Sequence, residues 1–305
     1  MGSRCKVGGF FVIMGGMKRV IRRFLPGRVQ SLLRKVYYRF PLIRKVYYFP
    51  SDLCRLITGK RERLMPPKSK VFVGDGDFEQ VSEEFFNYFI KYINLKPAEK
   101  VLEVGSGIGR MAIPLTRYLN KEGRYEGLEI VKEGVAWCRE NIAREFRNFN
   151  FQLIDVYNNL YNVKGKYKAS EYKFPFKDNT FDFIFLTSVF THMVIKDIKN
   201  YLSEISRTLK RDGRVLMTFF LLNRESLKYI DSGKSKFNFR FENSRVIDAN
   251  IPEASIAHDE HVIRELSKDN KIQIQEPILY GSWCKREHYT SYQDIIIGIK
   301  GGLRT

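Results

Sequence analysis

The decapeptide VLEVGSGIGR, residues 101–110, constrains this chain more than any other stretch. An apolar run leads into glycines alternating at Gly105, Gly107 and Gly109, with Glu103 two residues upstream. That order reads as a strand entering a tight turn that opens a helix. Glycine lets such a turn approach a ligand closely, because no Cβ stands in the way. A dinucleotide fingerprint, G-x-G-x-x-G, would put its third glycine at position 110, which is Arg110 here. The acids downstream narrow the ligand further. Glu129 ends the next apolar run, YEGLEI, where a carboxylate can accept both hydroxyls of a ribose, and Asp155 ends a third run, FQLID.

Strand and helix patterns alternate around this turn. The spacing predicts a helix over 80–94, strand 100–105, helix 109–120, strand 124–129 and helix 132–147. Strands 149–155 and 181–187, helix 196–210 and strand 213–221 follow, then helix 259–268 and strands near 272–280 and 292–299. Alternation of this kind implies a doubly wound α/β sheet, mainly parallel and covered on both faces. Two segments, 156–178 and 223–257, interrupt it and are rich in Tyr, Phe, Lys and Asn. Ligands of such sheets bind beyond the carboxyl ends of the strands, where these insertions would shape a pocket.

Charge divides the chain into a basic segment, 1–70, and a body, 71–305. Residues 1–70 hold 18 Lys and Arg against Asp52 and Glu62, a net +16 of the chain's +19. The run VGGFFVIMGGM is shorter than the roughly 20 apolar residues a membrane span needs. It also lacks the flanks of a secretory signal, and Met1, Met14 and Met17 are alternative starts. From residue 20 to 40 apolar residues fall near helical spacing with Lys and Arg between them, broken at Pro26-Gly27. Such a basic amphipathic segment suits an anionic membrane surface. Packing on its own body and binding nucleic acid are the alternatives, in that order. RERLMPPKSK reads as a linker into the body. The four scattered cysteines show no CxxC pair, which points to a reducing, cytoplasmic setting, with a peripheral position on the inner membrane face for the basic segment.

From about residue 74 to 222 the chain resembles the class I S-adenosylmethionine-dependent methyltransferases. EVGSGIGR resembles the family's first motif, GLEI its second and LID its third. FPFKDNTFDFIFLTSVFTHM resembles the entry to its fourth strand, and YLSEISRTLKRDGRVLMT the helix, turn and fifth strand that follow. The resemblance implies a Rossmann-like sheet of seven strands whose last, YQDIIIGIK, runs antiparallel. It implies S-adenosyl-L-methionine as cofactor. Gly105 and Gly107 would let the backbone approach its methionine part, Gly109 would join them in the cofactor-binding turn, and Glu103 would anchor the turn or the amino group. Glu129 would hold the ribose, Ile130 would pack on the adenine, Asp155 would accept from its amino group, and Val156 would join the cofactor site. Thr187 and Ser188 would face the methyl donor.

A hydroxyl acceptor needs a base, and an imidazole can take a proton near neutral pH. His192, directly after the fourth strand in SVFTHM, is the candidate. The absence of N-P-P-Y or D-P-P-Y there argues against nucleobase or glutamine amino groups, and the absence of Pro-Cys against cytosine C5. HDEH, residues 258–261, reads as a helix start capped by Asp259 rather than a metal site. GDGDF, 74–78, reads as a turn before a helix that covers the cofactor. Small molecules, glycans and lipid-linked sugars remain as acceptors. Tyr157, Tyr161, Tyr167 and Tyr172, with Lys164, Lys166, Lys168 and Lys173 between them, offer stacking faces and cations for these, with Tyr280, Trp283 and Tyr289 as further candidates. The rival readings are an RNA or DNA methyltransferase that uses the basic arm, and a non-catalytic adaptor.

Overall fold

The computed structural model describes residues 41–58, 64–72, 74 and 76–301. The helix expected between 20 and 40 lies outside them. The body contains a seven-stranded sheet built from β1 (Lys100–Val104), β2 (Arg124–Glu129), β3 (Phe149–Leu153), β4 (Phe181–Leu186), β5 (Leu209–Phe219), β10 (Ile272–Ile274) and β11 (Asp294–Lys300). Their order is β10-β11-β5-β4-β1-β2-β3. β11 runs antiparallel to β5, as the resemblance implies, while β1 to β5 pair in parallel. Such strands are covered on both faces, and accordingly FDFIFL and DIIIGIK are nearly continuous apolar runs.

The helices follow from their apolar spacing. α2 (Phe78–Lys91) starts at Asp77, whose carboxylate accepts from the Glu79 and Gln80 amides. Its Phe85 and Phe89 pack on the sheet, with Phe89 against Phe183 and Phe185. α3 (Ala112–Thr116) is shorter than expected, because the glycine turn extends through residue 111 before the helix begins. α4 (Lys132–Cys138) continues as a turn of π-helix over Arg139–Ala143. α5 (Ile195–Thr208) buries Ile198, Tyr201, Leu202 and Ile205, the i, i+3, i+4, i+7 stripe of a core-facing helix.

The two insertions differ. Segment 156–178 is held by isolated bridges and one short turn, Ala169–Glu171. Segment 223–257 contains α6 (Arg224–Asp231), β7 (Phe239–Phe241) and β8 (Ser244–Val246). With β6 (Leu221–Leu222) and β9 (Ile256–Asp259) these strands make a second sheet, β6-β9-β8-β7, so this insertion carries secondary structure that its composition did not announce. α7 (Glu260–Asp269) is capped by Asp259 as expected. Ahead of the body lies α1 (Pro41–Ile57). Its Asp52 accepts from the Lys68 and Ser69 amides, so the stretch expected to be a linker is pinned to the helix.

Candidate functional site

A cavity of about 2070 Å³ opens beyond the carboxyl ends of β1, β2 and β4. β1 delivers the glycine turn to its wall. Gly105 sits at φ +82°, and a Cβ there would stand 2.4 Å from a Val189 methyl, so only glycine fits. The Gly105 and Ser106 amides donate to the Leu128 carbonyl, which locks the turn to the neighbouring strand.

Glu129, at the end of β2, is buried and holds the turn from the other side. Its Oε2 accepts from the Gly107 amide at 2.6 Å, and its Oε1 from the Ile130 and Val131 amides at 2.7 and 2.8 Å. Burial raises its pKa against the pull of those three amides. Behind the turn, Gly134 of α4 faces the Gly107 carbonyl, where a Cβ would come within 2.3 Å. Glu103 is buried at the end of β1 and accepts from the Tyr125 hydroxyl. Burial pushes its carboxyl up to about 8, with the nearby Glu129 adding to the shift and the Tyr125 hydrogen bond opposing it. Ser106 Oγ is buried without a hydrogen-bond partner among the described residues, although Ser106 lines the cavity.

The remaining sequence candidates divide. Glu103, Gly105, Gly107, Glu129, Ile130, Val156, Thr187, Ser188 and His192 all line the cavity. Gly109 does not. It packs behind the turn, where a Cβ would meet Ile142 at 2.7 Å. Asp155 is half-buried between Ile154 and Val156, which do line the cavity, while Asp155 itself is off the wall. β3 ends at Leu153, so Asp155 follows the strand rather than closing it. Of the aromatic and cationic candidates, Tyr157, Tyr161, Lys166 and Lys168 reach the cavity. Tyr167 and Tyr172 pack on each other. Tyr280 donates to Glu260, Trp283 donates to the buried Asp294, and Tyr289 is exposed, so none of these three joins the site.

His192 lies in a short turn, Phe190–His192, just after β4. Its Nδ1 is 2.8 Å from the Glu253 carbonyl oxygen. A carbonyl can only accept, so Nδ1 carries the proton and Nε2 is the basic nitrogen of the neutral ring. The same turn is held from beneath by His258 of β9, whose Nε2 donates to the Phe190 carbonyl at 3.0 Å. Burial pushes His258 down to about 4 and keeps it neutral. Sequence reasoning missed Asp197 and Glu253, both on the cavity wall. Burial and the Glu253 carboxylate push Asp197 up to about 6. It also missed Tyr48 of α1 and Met65, Pro66 and Lys68, which bring the N-terminal segment to the cavity rim. Among the described residues no His, Cys, Asp and Glu group could hold a metal ion, and no helix is long and apolar enough to cross a membrane.

Residues 102–217 match the methyltransferase domain family. A ubiquinone/menaquinone biosynthesis C-methyltransferase, UbiE, of Wigglesworthia glossinidia brevipalpis is 29% identical over 134 residues, 44% of this chain and 48% of that protein. The match thus spans about half of that relative's length. The uncharacterized methyltransferase YcgJ of Bacillus subtilis is 24% identical over 205 residues, 67% of this chain and 71% of that one. Among solved structures, the PH0226 protein of Pyrococcus horikoshii superposes with a TM-score of 0.50 at 16% identity, covering 76% of this chain and 95% of that chain, a likeness of fold. Motif spacing, strand order and family match agree: the chain carries a class I S-adenosylmethionine-dependent methyltransferase domain.

Proposed function

We propose that this enzyme methylates an oxygen of a small-molecule, glycan or lipid-linked acceptor, with His192 as general base, from the cytoplasmic side of the cell. The cavity wall fits the cofactor. Ser106 Oγ is a buried polar atom with no hydrogen-bond partner among the described residues, and the glycine turn is a cradle that a Cβ at Gly105 would disrupt. Glu103 would meet the cofactor's ammonium, and Gly105 and Gly107 would lie along its methionine chain. Glu129 Oε2 accepts from the Gly107 amide and retains capacity for a ribose hydroxyl. Ile130 and Val156 would flank the adenine, and Thr187 and Ser188 the reacting end. Gly109 packs behind this wall, against Ile142.

When bound, S-adenosylmethionine supplies an activated methyl group on a sulfonium. The protein's own work is then alignment, exclusion of water and removal of a proton. The observation that carries the oxygen reading is the Glu253 carbonyl against His192 Nδ1, because it leaves Nε2 as the proton acceptor. The acceptor hydroxyl would give its proton to that nitrogen, freeing an oxygen lone pair for alkylation. Transfer of tritiated methyl from S-adenosylmethionine to a membrane and glycan extract tests the proposal. His192→Ala should lower label transfer by about 100-fold or more while calorimetric cofactor affinity stays unchanged. Undiminished transfer would remove His192 from the chemistry.

A further inference from the structure

α1 is amphipathic in the reverse sense to the body's helices. Leu42, Val46, Phe49, Leu53 and Leu56 recur at i, i+4, i+7, i+11 and i+14, which places them on one face. All are exposed, at 70%, 70%, 62%, 41% and 66%, and Ile43 and Ile57 flank them at 45% and 75%. The opposite face is polar and turned inward. Arg44 is only 2% exposed, forms a 2.9 Å ion pair with Glu133 of α4 and lies over the Phe72 ring. Ser51 is buried, and Asp52 holds the Lys68 and Ser69 amides. The helix is therefore fixed to the body by its polar side and offers its apolar side outward. An exposed apolar stripe of this size marks an interaction surface.

We infer that α1 is a docking helix for an anionic lipid bilayer, lying in the plane of the interface with Leu42, Val46, Phe49, Leu53 and Leu56 in the acyl boundary. Charge selects this occupant. Residues 1–40, which lead directly into α1, contain ten Lys and Arg and no Asp or Glu. Apolar burial and attraction to anionic headgroups act together in such helices, each cation adding about 1 kcal/mol near the surface. A second copy of the chain is disfavoured on the same count, since it would bring two segments of net +16 together. Tyr48 of α1 and the adjoining Met65, Pro66 and Lys68 line the cavity, so docking sets the cavity rim beside the bilayer. A lipid-linked acceptor would have a short path to the site.

The test uses the full chain and vesicles of phosphatidylcholine with or without phosphatidylglycerol. Wild type should sediment with the anionic vesicles, and salt should weaken that binding without abolishing it, because the apolar part is not screened. The triple variant Val46→Gln, Phe49→Gln, Leu53→Gln should bind at least about tenfold more weakly, with unchanged S-adenosylmethionine affinity as evidence of folding. The pair Leu42→Gln and Leu56→Gln on the same face should weaken binding as well. Wild-type vesicle binding by both variants would show that the basic arm alone holds the surface and would overturn the inference. So would a dimer in sedimentation velocity, without lipid, that the triple variant dissociates.

Discussion

In α5 the inward positions are Ile198, Tyr201, Leu202 and Ile205, and in α1 they are Arg44, Ser51 and Asp52. Both helices have a sharp apolar stripe, but α5 turns it to the sheet and α1 turns it away. The contrast separates two ways of placing a helix. Apolar burial holds α5 strongly but without direction, and it contributes to the core that makes the body fold. α1 is placed by directional contacts, the Arg44–Glu133 pair and the two amides on Asp52, which fix its orientation and leave its apolar side for another partner.

Truncating one leucine in each helix gives the largest expected difference. Leu202→Ala should cost about 2–5 kcal/mol in urea unfolding, the usual range for a buried leucine. Leu53→Ala should stay within about 0.5 kcal/mol of wild type, as surface substitutions do. A comparable loss at Leu53 would mean that the outward face of α1 is already covered in the isolated protein, and the contrast would fail.

A second prediction concerns the charges each region buries. Arg44 faces a carboxylate, whereas Glu103 lies near another acid, Glu129, and is pushed up to about 8. Below that pH Glu103 is protonated in the free protein, while the proposed ammonium beside it favours the ionised form. Binding must therefore release a proton. S-adenosylmethionine affinity should rise with pH up to about 8, with a slope of at most about 1.4 kcal/mol, or tenfold, per pH unit, and fall again above it as the cofactor's own α-amino group, ordinarily near about 8, loses its proton. Calorimetry in buffers of different ionisation enthalpy would count the proton. A flat profile would separate Glu103 from the ammonium.

The smallest effect is expected at the joint between the two regions. Arg44→Ala removes the ion pair, but Glu133 is 23% exposed and water can take over part of its solvation. The cost should be about 1 kcal/mol and confined to α1. Hydrogen exchange should quicken in α1 and not in β4. If the global unfolding midpoint falls as well, α1 belongs to the cooperative core.

Much of the body could be read from residue order because its signals are local. The apolar runs of β4 and β11 and the alternating glycines each lie within a few residues, and Glu129 ends its strand as expected. Asp155 lies two residues past the end of β3 rather than closing it, because a strand boundary is soft: β3 stops at Leu153. Glu253 could not be foreseen at the site, since 61 residues separate it from the imidazole it holds. Periodicity also shows that a helix has an apolar face without showing where that face points. For α1 the direction is decided by Glu133, Lys68 and Ser69, all distant in sequence.

The three amides on the Glu129 carboxylate have a consequence for the cost of recognition. A glycine-rich turn is the segment with the most conformational freedom to lose. Here the turn is held by the protein's own Glu129, through the Gly107, Ile130 and Val131 amides. Contacts internal to the protein therefore meet part of the ordering cost that a bound nucleoside would otherwise have to offset.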